Sequence, residues 1–282
     1  MAREVWKRRA WRTWKLCRAA LLRAAGRFDG PPRPVFVVGA QRSGTRLPMV
    51  VMERAPDIGA YAEGHSRFFD GVLLKPDDEV ARALRRLPFQ VVALKPICES
   101  HRARELLERF PGSRVVWIYR DYRYATRSAE KKWKGGVREL ELLATGRLKE
   151  AGWRAGGLTE EKLRLVKRFY DPAMSRHSAY AMKWFLRTGL FFDIGLAGRD
   201  DVLLVRYEDL ATDPVSGFQR MFAFIGVEFR KAFVRDVYAS SVATGDVQGL
   251  DPEIESLCMD LLERMDAYRS AQAESFPVAV AG

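Results

Sequence analysis

Residues 39–46 of this 282-residue chain read Gly-Ala-Gln-Arg-Ser-Gly-Thr-Arg and follow the apolar run Val35, Phe36, Val37 and Val38. A buried strand, a glycine-containing loop and a helix together make an anion site. Successive backbone N–H groups point into the loop, and the helix dipole favours negative charge. Gly39 and Gly44 allow the close turns. Arg42 adds a permanent positive charge, and the Ser43 and Thr45 hydroxyls can donate to phosphate oxygens. The loop departs from the triphosphate-binding pattern, which places Gly-Lys before Ser or Thr. Here Thr45 and Arg46 follow Gly44, and no lysine stands where a γ-phosphate would need one. The chemistry implied is recognition of a phosphate-like group.

The elements that must hold this loop are legible around it. Short apolar runs at 35–38, 91–94, 115–119 and 202–206 predict buried parallel strands. Helical patterns fall at 46–54, 77–87, 101–110, 121–134, 176–193 and 251–269. Strands alternating with helices predict an α/β fold, a P-loop-like parallel β-sheet flanked by helices. The glycine- and proline-rich stretch 30–34 reads as a linker between an N-terminal helix, 1–30, and a domain spanning 33–275. Within it, the polar, glycine-interrupted segment 131–175 is expected to be an insertion or cap over the acceptor site.

A second segment narrows the reading. Residues 110–121, Phe-Pro-Gly-Ser-Arg-Val-Val-Trp-Ile-Tyr-Arg-Asp, run from a helix end through a strand to Arg120, and Ser128 follows on the next helix. With this the chain resembles the sulfotransferase family, which uses 3′-phosphoadenosine 5′-phosphosulfate (PAPS). The loop 39–46 resembles the family's 5′-phosphosulfate loop, including Arg42, Ser43, Gly44, Thr45 and Arg46. Arg120 and Ser128 resemble its 3′-phosphate pair. Val205-Arg206-Tyr207-Glu208-Asp209-Leu210 and Leu94-Lys95-Pro96 are further matches, in the family's order along the chain. The resemblance covers about 33–235 and implies the sulfotransferase fold, with features of its bacterial and heparan-type members. Arg46 stands where many members have a second Thr or Ser, but heparan-type members commonly have Gly-Thr-Arg. The family's C-terminal Arg-Lys-Gly segment has no clear match, and Ser240–Gly245 is the nearest candidate.

The resemblance also implies roles. PAPS would be the co-substrate and no metal is required. Residues 61–70 resemble the Glu-x-His-Phe-Phe-Asp segment of heparan-type members, with two extra residues before Phe68. Glu63 is therefore taken as the base that deprotonates the acceptor. His65 is the rival, because cytosolic members use a histidine and imidazole titrates near neutrality. Arg42 and Lys95 would stabilise transition-state charge, with Lys95 at a strand end on the carboxyl edge of the sheet. Tyr207 would contact the adenine or serve as a core tyrosine. Two other classes stay open: a P-loop kinase or NTPase, and a non-catalytic membrane-associated module that keeps the nucleotide fold.

Composition bounds the rest. Formal net charge is +12, and nine basic side chains against Glu4 and Asp29 place +7 of it in residues 1–30. Charge so concentrated does not suit a nucleic-acid partner. Trp6, Ala10, Trp14, Cys17, Leu21 and Ala24 recur at helical spacing there. Tryptophans beside many Arg and Lys suit an anionic membrane surface, and a helix packed on the domain fits equally. Three scattered cysteines and three histidines without ligand spacing argue against a disulfide framework and a zinc site. No apolar run approaches the roughly 20 residues of a membrane span. The expected setting is cytoplasmic, with possible membrane association. The expected acceptor is a carbohydrate, lipid or small molecule bearing a hydroxyl or amine.

Overall fold

The computed structural model describes residues 2–28, 30–238 and 249–275. Five strands form one sheet: β1 (Arg33–Gly39), β2 (Ile58–Ala62), β5 (Val91–Lys95), β6 (Arg114–Tyr119) and β7 (Val202–Arg206). Their order is β2-β5-β1-β6-β7, and each neighbouring pair is parallel. A separate two-stranded ribbon, β3 (Phe69–Asp70) with β4 (Leu73–Leu74), is antiparallel. The sheet has a switch point. The chain leaves β1 toward β2 on one side and leaves β6 toward β7 on the other, so a crevice opens at their carboxyl ends.

Both faces of the sheet are covered, which explains why the strands read as continuous apolar runs. On β1, Val35 and Val37 point into one core and Phe36 and Val38 into the other. The first core is closed by α2 (Arg46–Arg54) and by α10 (Tyr207–Thr212) and α11 (Pro214–Ile225), through Met52, Leu210, Phe218 and Phe222. The second is closed by α4 (Ala103–Arg109), α9 (Arg176–Asp193) and α12 (Pro252–Ser275), through Leu106, Leu190 and Met265. Trp117 and Trp184 are both buried in that core, as aromatic residues in a strand and a helix pattern should be. Pro48 falls within the first turn of α2, where its missing N–H has no intrahelical partner to lose.

The segment 131–175 is helical. It begins with the end of α5 (Tyr122–Lys132), then forms α6 (Gly136–Ala144), α7 (Leu148–Ala151) and α8 (Glu160–Phe169). Leu140, Leu143, Ala151 and Val166 place it in the second core. Ser240–Gly245 lies outside the described residues.

Helix α1 (Ala2–Ala24) lies against the β2 side of the domain. Ala19 is fully buried in the second core, and polar contacts surround it. Trp11 Nε1 donates to Glu53 O at 3.1 Å, Arg12 pairs with Glu53 at 3.0 Å, and Arg23 donates to the Phe89 carbonyl at 2.9 Å. Lys15 is buried and donates to the carbonyls of Glu53 at 2.8 Å and Ile58 at 2.6 Å. Burial lowers its basicity to about 8. The apolar stripe faces outward instead: Trp6 is 69% exposed, Trp14 48% and Leu21 72%. The helix therefore packs on the domain through one side and leaves these apolar residues exposed on the other.

Candidate active site

Because the sheet is parallel, every strand delivers its carboxyl end to one edge. Glu63 follows β2, Lys95 ends β5, the loop 39–46 follows β1, Arg120 follows β6, and Tyr207 follows β7. Residues up to 168 positions apart, from Gly39 to Tyr207, thus reach one rim.

The loop is shaped for close approach. Gly44 has φ +85°, and a Cβ there would lie 2.0 Å from Tyr207 Cδ2. Only glycine meets both demands. Tyr207 is buried, and its ring is flanked on another side by the Arg120 guanidinium, 4.5 Å from the ring centroid. The tyrosine thus joins the loop to the Arg120 site. Ser43 is fully buried, and among the described residues its Oγ finds no hydrogen-bond partner. A buried hydroxyl in a loop of inward-turned N–H groups is a donor awaiting an acceptor. Thr45 is buried at the head of α2 without capping it through its side chain, and Arg46 is exposed.

Arg42 has a positive φ of 69°, unusual for a non-glycine residue. Its guanidinium lies 5.6 Å from the centroid of Trp133 and donates to Ser128 Oγ from Nε at 3.0 Å and Nη2 at 2.7 Å. Burial lowers the Arg42 pKa, and the like charge of Arg120 lowers it further. Two guanidiniums close enough to repel mark a place that an anion would stabilise. Arg120 is 9% exposed, and its Nε lies 3.8 Å from Glu208 Oε1. Trp184 Nε1 donates to the Arg120 carbonyl at 2.9 Å, and Glu208 accepts from the Asp121 N–H at 3.3 Å. These contacts fix the turn from β6 into α5. Burial, as the main cause, raises the Glu208 pKa.

Glu63 and Lys95 form the second half of the site. Lys95 Nζ donates to Glu63 Oε2 at 2.6 Å, and the Ile97 N–H donates to Oε1 at 3.2 Å. Both side chains are mostly buried, at 15% and 18% exposed for Lys95 and Glu63. The Cys98 thiol lies close enough to Glu63 to feel its charge. Burial, then the Glu63 charge, pushes that thiol up to about 12, so it stays neutral. With each oxygen fixed, the carboxylate keeps lone pairs to accept a proton from a hydroxyl.

His65 is not brought to this pair. A strand continued past Ala62 would put residues 63 and 65 on one face. The chain turns at Gly64 instead, where φ is +81°. The His65 ring packs edge-on against Tyr61 at 4.8 Å, and its Nδ1 accepts from the Arg67 N–H at 3.3 Å. It borders two surface pockets, one shared with α1 and the other with Glu79, Arg82 and Arg86, and Arg67 lines both.

Sequence reasoning passed over Trp133, Cys98, Gln41 and Arg187. Trp133 lies at the start of the polar segment 131–175, and its ring centroid lies 5.6 Å from the Arg42 guanidinium. Cys98 belongs to no motif and Gln41 has no role assigned within the loop 39–46, and the Gln41 amide donates to Cys98 Sγ at 3.7 Å. Arg187 interrupts an otherwise apolar face of α9 between Leu186 and Leu190, the one signal that could have singled it out. Among the described residues no cluster of His, Cys, Asp or Glu could hold a metal ion, and no helix is long and apolar enough to cross a membrane.

No family model and no curated protein matches this chain. Solved structures similar to it are sulfotransferases. A sulfotransferase from Alicyclobacillus acidocaldarius is 18% identical with a TM-score of 0.47, the match covering 87% of this chain and 96% of that one. The sulfotransferase domain of the Synechococcus PCC 7002 olefin synthase is 17% identical with a TM-score of 0.48, over 85% and 96%. A mouse sulfotransferase complexed with PAP is 12% identical with a TM-score of 0.43, over 90% and 93%.

Proposed function

We propose that the chain is a PAPS-dependent sulfotransferase acting on a hydroxyl or amine of a carbohydrate, lipid or small-molecule acceptor. The observation that carries this reading is the pairing of two half-sites on one sheet edge. A phosphate-type loop with Arg42 and Ser43, and Arg120 across the crevice, share that edge with a half-buried Glu63–Lys95 pair. The residues suit the donor. Ser43 Oγ supplies an unsatisfied buried hydroxyl, and Arg42 and Arg120 supply two mutually repelling cations across the β1–β6 crevice.

PAPS, when bound, supplies the sulfuryl group: its S–O bond to the 5′-phosphate breaks as the acceptor oxygen bonds to sulfur, and the electron pair leaves with 3′-phosphoadenosine 5′-phosphate (PAP). The chain's residues do the rest. Ser43, Thr45, Arg46 and the loop N–H groups hold the 5′ end, and Arg120 with Ser128 holds the 3′-phosphate. Tyr207 packs beside the base. Glu63 takes the acceptor proton. Lys95 orients Glu63 and, with Arg42, offsets the charge that builds on the transferring group. Alignment of both reactants over the rim converts an encounter into an in-line reaction.

The competing reading, a P-loop kinase or NTPase, predicts magnesium-dependent ATP binding. Titration with PAP and with Mg-ATP separates the two. PAP binding without Mg-ATP binding supports the transferase, and the reverse result removes it.

A cytoplasmic chain resting on an anionic membrane belongs to the same proposal. The outward stripe of Trp6, Trp14 and Leu21 lies on the segment richest in positive charge. Aromatic rings at headgroup depth with cations on lipid phosphates account for that combination. Vesicles of phosphatidylcholine with phosphatidylserine should retain the chain more than phosphatidylcholine alone. The triple variant Trp6→Ser, Trp14→Ser, Leu21→Ser should lose that retention. Equal retention of the variant would dismiss the membrane contact.

A further inference from the structure

Two pockets meet at His65 and Arg67, which line both. The larger is an open groove of about 680 Å³ beside α3 (Asp77–Arg85). Its walls carry Arg67, Lys75, Arg82 and Arg86 against the single carboxylate of Glu79. Arg82 pairs at 2.9 Å with Asp78, which does not line the groove, and Lys75 lies 3.8 Å from Asp70. Among the described residues no carboxylate pairs with Arg67 or Arg86. Burial, then the Arg67 charge, lowers the His65 pKa, so at neutral pH the imidazole carries no charge of its own.

The smaller pocket, about 180 Å³, lies between α1 and β2. Leu16, Leu87, Tyr61 and Phe89 give it apolar walls, and Gly59 and Ala60 of β2 add little side-chain bulk. A cavity of about 150 Å³ holds a benzene ring, so this one has room for a ring or a few methylenes of a chain. The cations at its wall are already engaged. Lys15 donates to the Glu53 and Ile58 carbonyls, and Arg12 pairs with the Glu53 carboxylate. The smaller pocket therefore offers apolar surface, and the groove beside it offers unpaired positive charge.

That combination fits one class of molecule. We propose that the two pockets form one site for an anionic amphiphile, with a phosphate monoester in the groove against Arg67 and Arg86 and its apolar chain entering between Leu16, Tyr61 and Phe89. Glu63 lines neither pocket, so the site stands apart from the proposed base. Helix α1 forms a wall of the apolar pocket and also carries the outward Trp6, Trp14 and Leu21. A phosphorylated lipid is the occupant these surroundings favour, a source that rests on the membrane reading of α1.

The test is calorimetric titration of the full chain with dihexanoyl phosphatidic acid below its micelle-forming concentration. Dihexanoyl phosphatidylcholine has the same chains without the net charge, and glycerol 3-phosphate has the phosphate without the chains. Phosphatidic acid should bind at least tenfold more tightly than either. Arg67→Gln and Arg86→Gln, both at exposed positions, should each weaken it about tenfold, the scale of a lost charge-assisted contact, and leave PAP affinity unchanged. Arg120→Ala should leave it unmoved, because the phosphate loop is a different site. Equal binding of phosphatidylcholine, equal binding of glycerol 3-phosphate, binding unmoved by both Gln variants, or loss in Arg120→Ala would overturn the proposal. The triple variant Trp6→Ser, Trp14→Ser, Leu21→Ser should still bind the short-chain lipid, and loss there would also overturn it. Vesicle retention by that triple variant strikes the membrane reading separately.

Discussion

Arg42 and Ser128 are joined across the β1–β6 crevice by two hydrogen bonds to one hydroxyl, at 3.0 and 2.7 Å. The loop that should hold a 5′-phosphosulfate and the helix that should hold a 3′-phosphate are thus one contact apart. Arg42 must exchange Ser128 for phosphate oxygens, or bridge to them, when the donor binds. Ser128→Ala should weaken PAP about tenfold, and Arg42→Ala should lower kcat/KM by at least a hundredfold, because it also loses transition-state contact. The double variant should fall short of the sum of the two effects, since both residues serve one unit. Strict additivity in PAP binding would show that the two act apart.

Glu63→Gln keeps the shape of the side chain and removes its basicity. Turnover should drop by roughly 10²–10⁴-fold, the usual worth of a general base, with PAP affinity held within a few fold. His65→Gln should leave turnover within a few fold, because His65 faces Tyr61 and Arg67. Comparing kcat for the two variants against PAP affinity decides the base. A collapse in the His65 variant alone would reverse the assignment.

Gly44→Ala forces a Cβ into the Tyr207 ring and a side chain onto a backbone at φ +85°. Stability should fall by about 1–3 kcal/mol, read by urea unfolding, and PAP binding should be lost. Tyr207→Ala in the same background should restore part of the stability by removing the clash. Absence of any rescue would mean that the backbone strain, not the ring, sets the cost.

His101 gives the chain a pH signature away from the site. Burial, then the Arg187 and Arg102 charges, holds its pKa down to about 4 against an ordinary 6.5. The folded state therefore binds fewer protons than the unfolded state between those values. The stability contribution is complete above pH 6.5 and is lost as pH falls toward 4. Between pH 7.5 and pH 5 the wild type should lose about 2 kcal/mol more than His101→Gln. Equal slopes for the two proteins in urea melts would contradict this.

Most of the scaffold was readable from residues because its strands are buried on both faces. Val91, Val92, Ala93 and Leu94 leave little choice but a central strand. The strand β2 was not readable: Ile-Gly-Ala-Tyr-Ala is short, small-residue-rich and paired on one side alone. Its omission left Glu63 without a register, and the register is what delivers Glu63 to Lys95. Motif order singled out Arg42, Arg120 and Ser128 as candidates, but not that Arg42 and Ser128 touch. Contacts such as Gln41 to Cys98, or Arg187 to the Trp153 carbonyl, join residues without a shared pattern, and packing alone brings them together.

The central claim is that Arg120 and the loop 39–46 hold a 3′-phosphorylated adenine nucleotide. Calorimetric titration with PAP, on wild type and Arg120→Ala, measures it most directly. The account predicts one-to-one binding by the wild type and at least a hundredfold loss in the variant, the scale of a buried charged contact to phosphate. A folded wild type that does not bind PAP, or an Arg120→Ala variant that binds it equally well, would contradict the account.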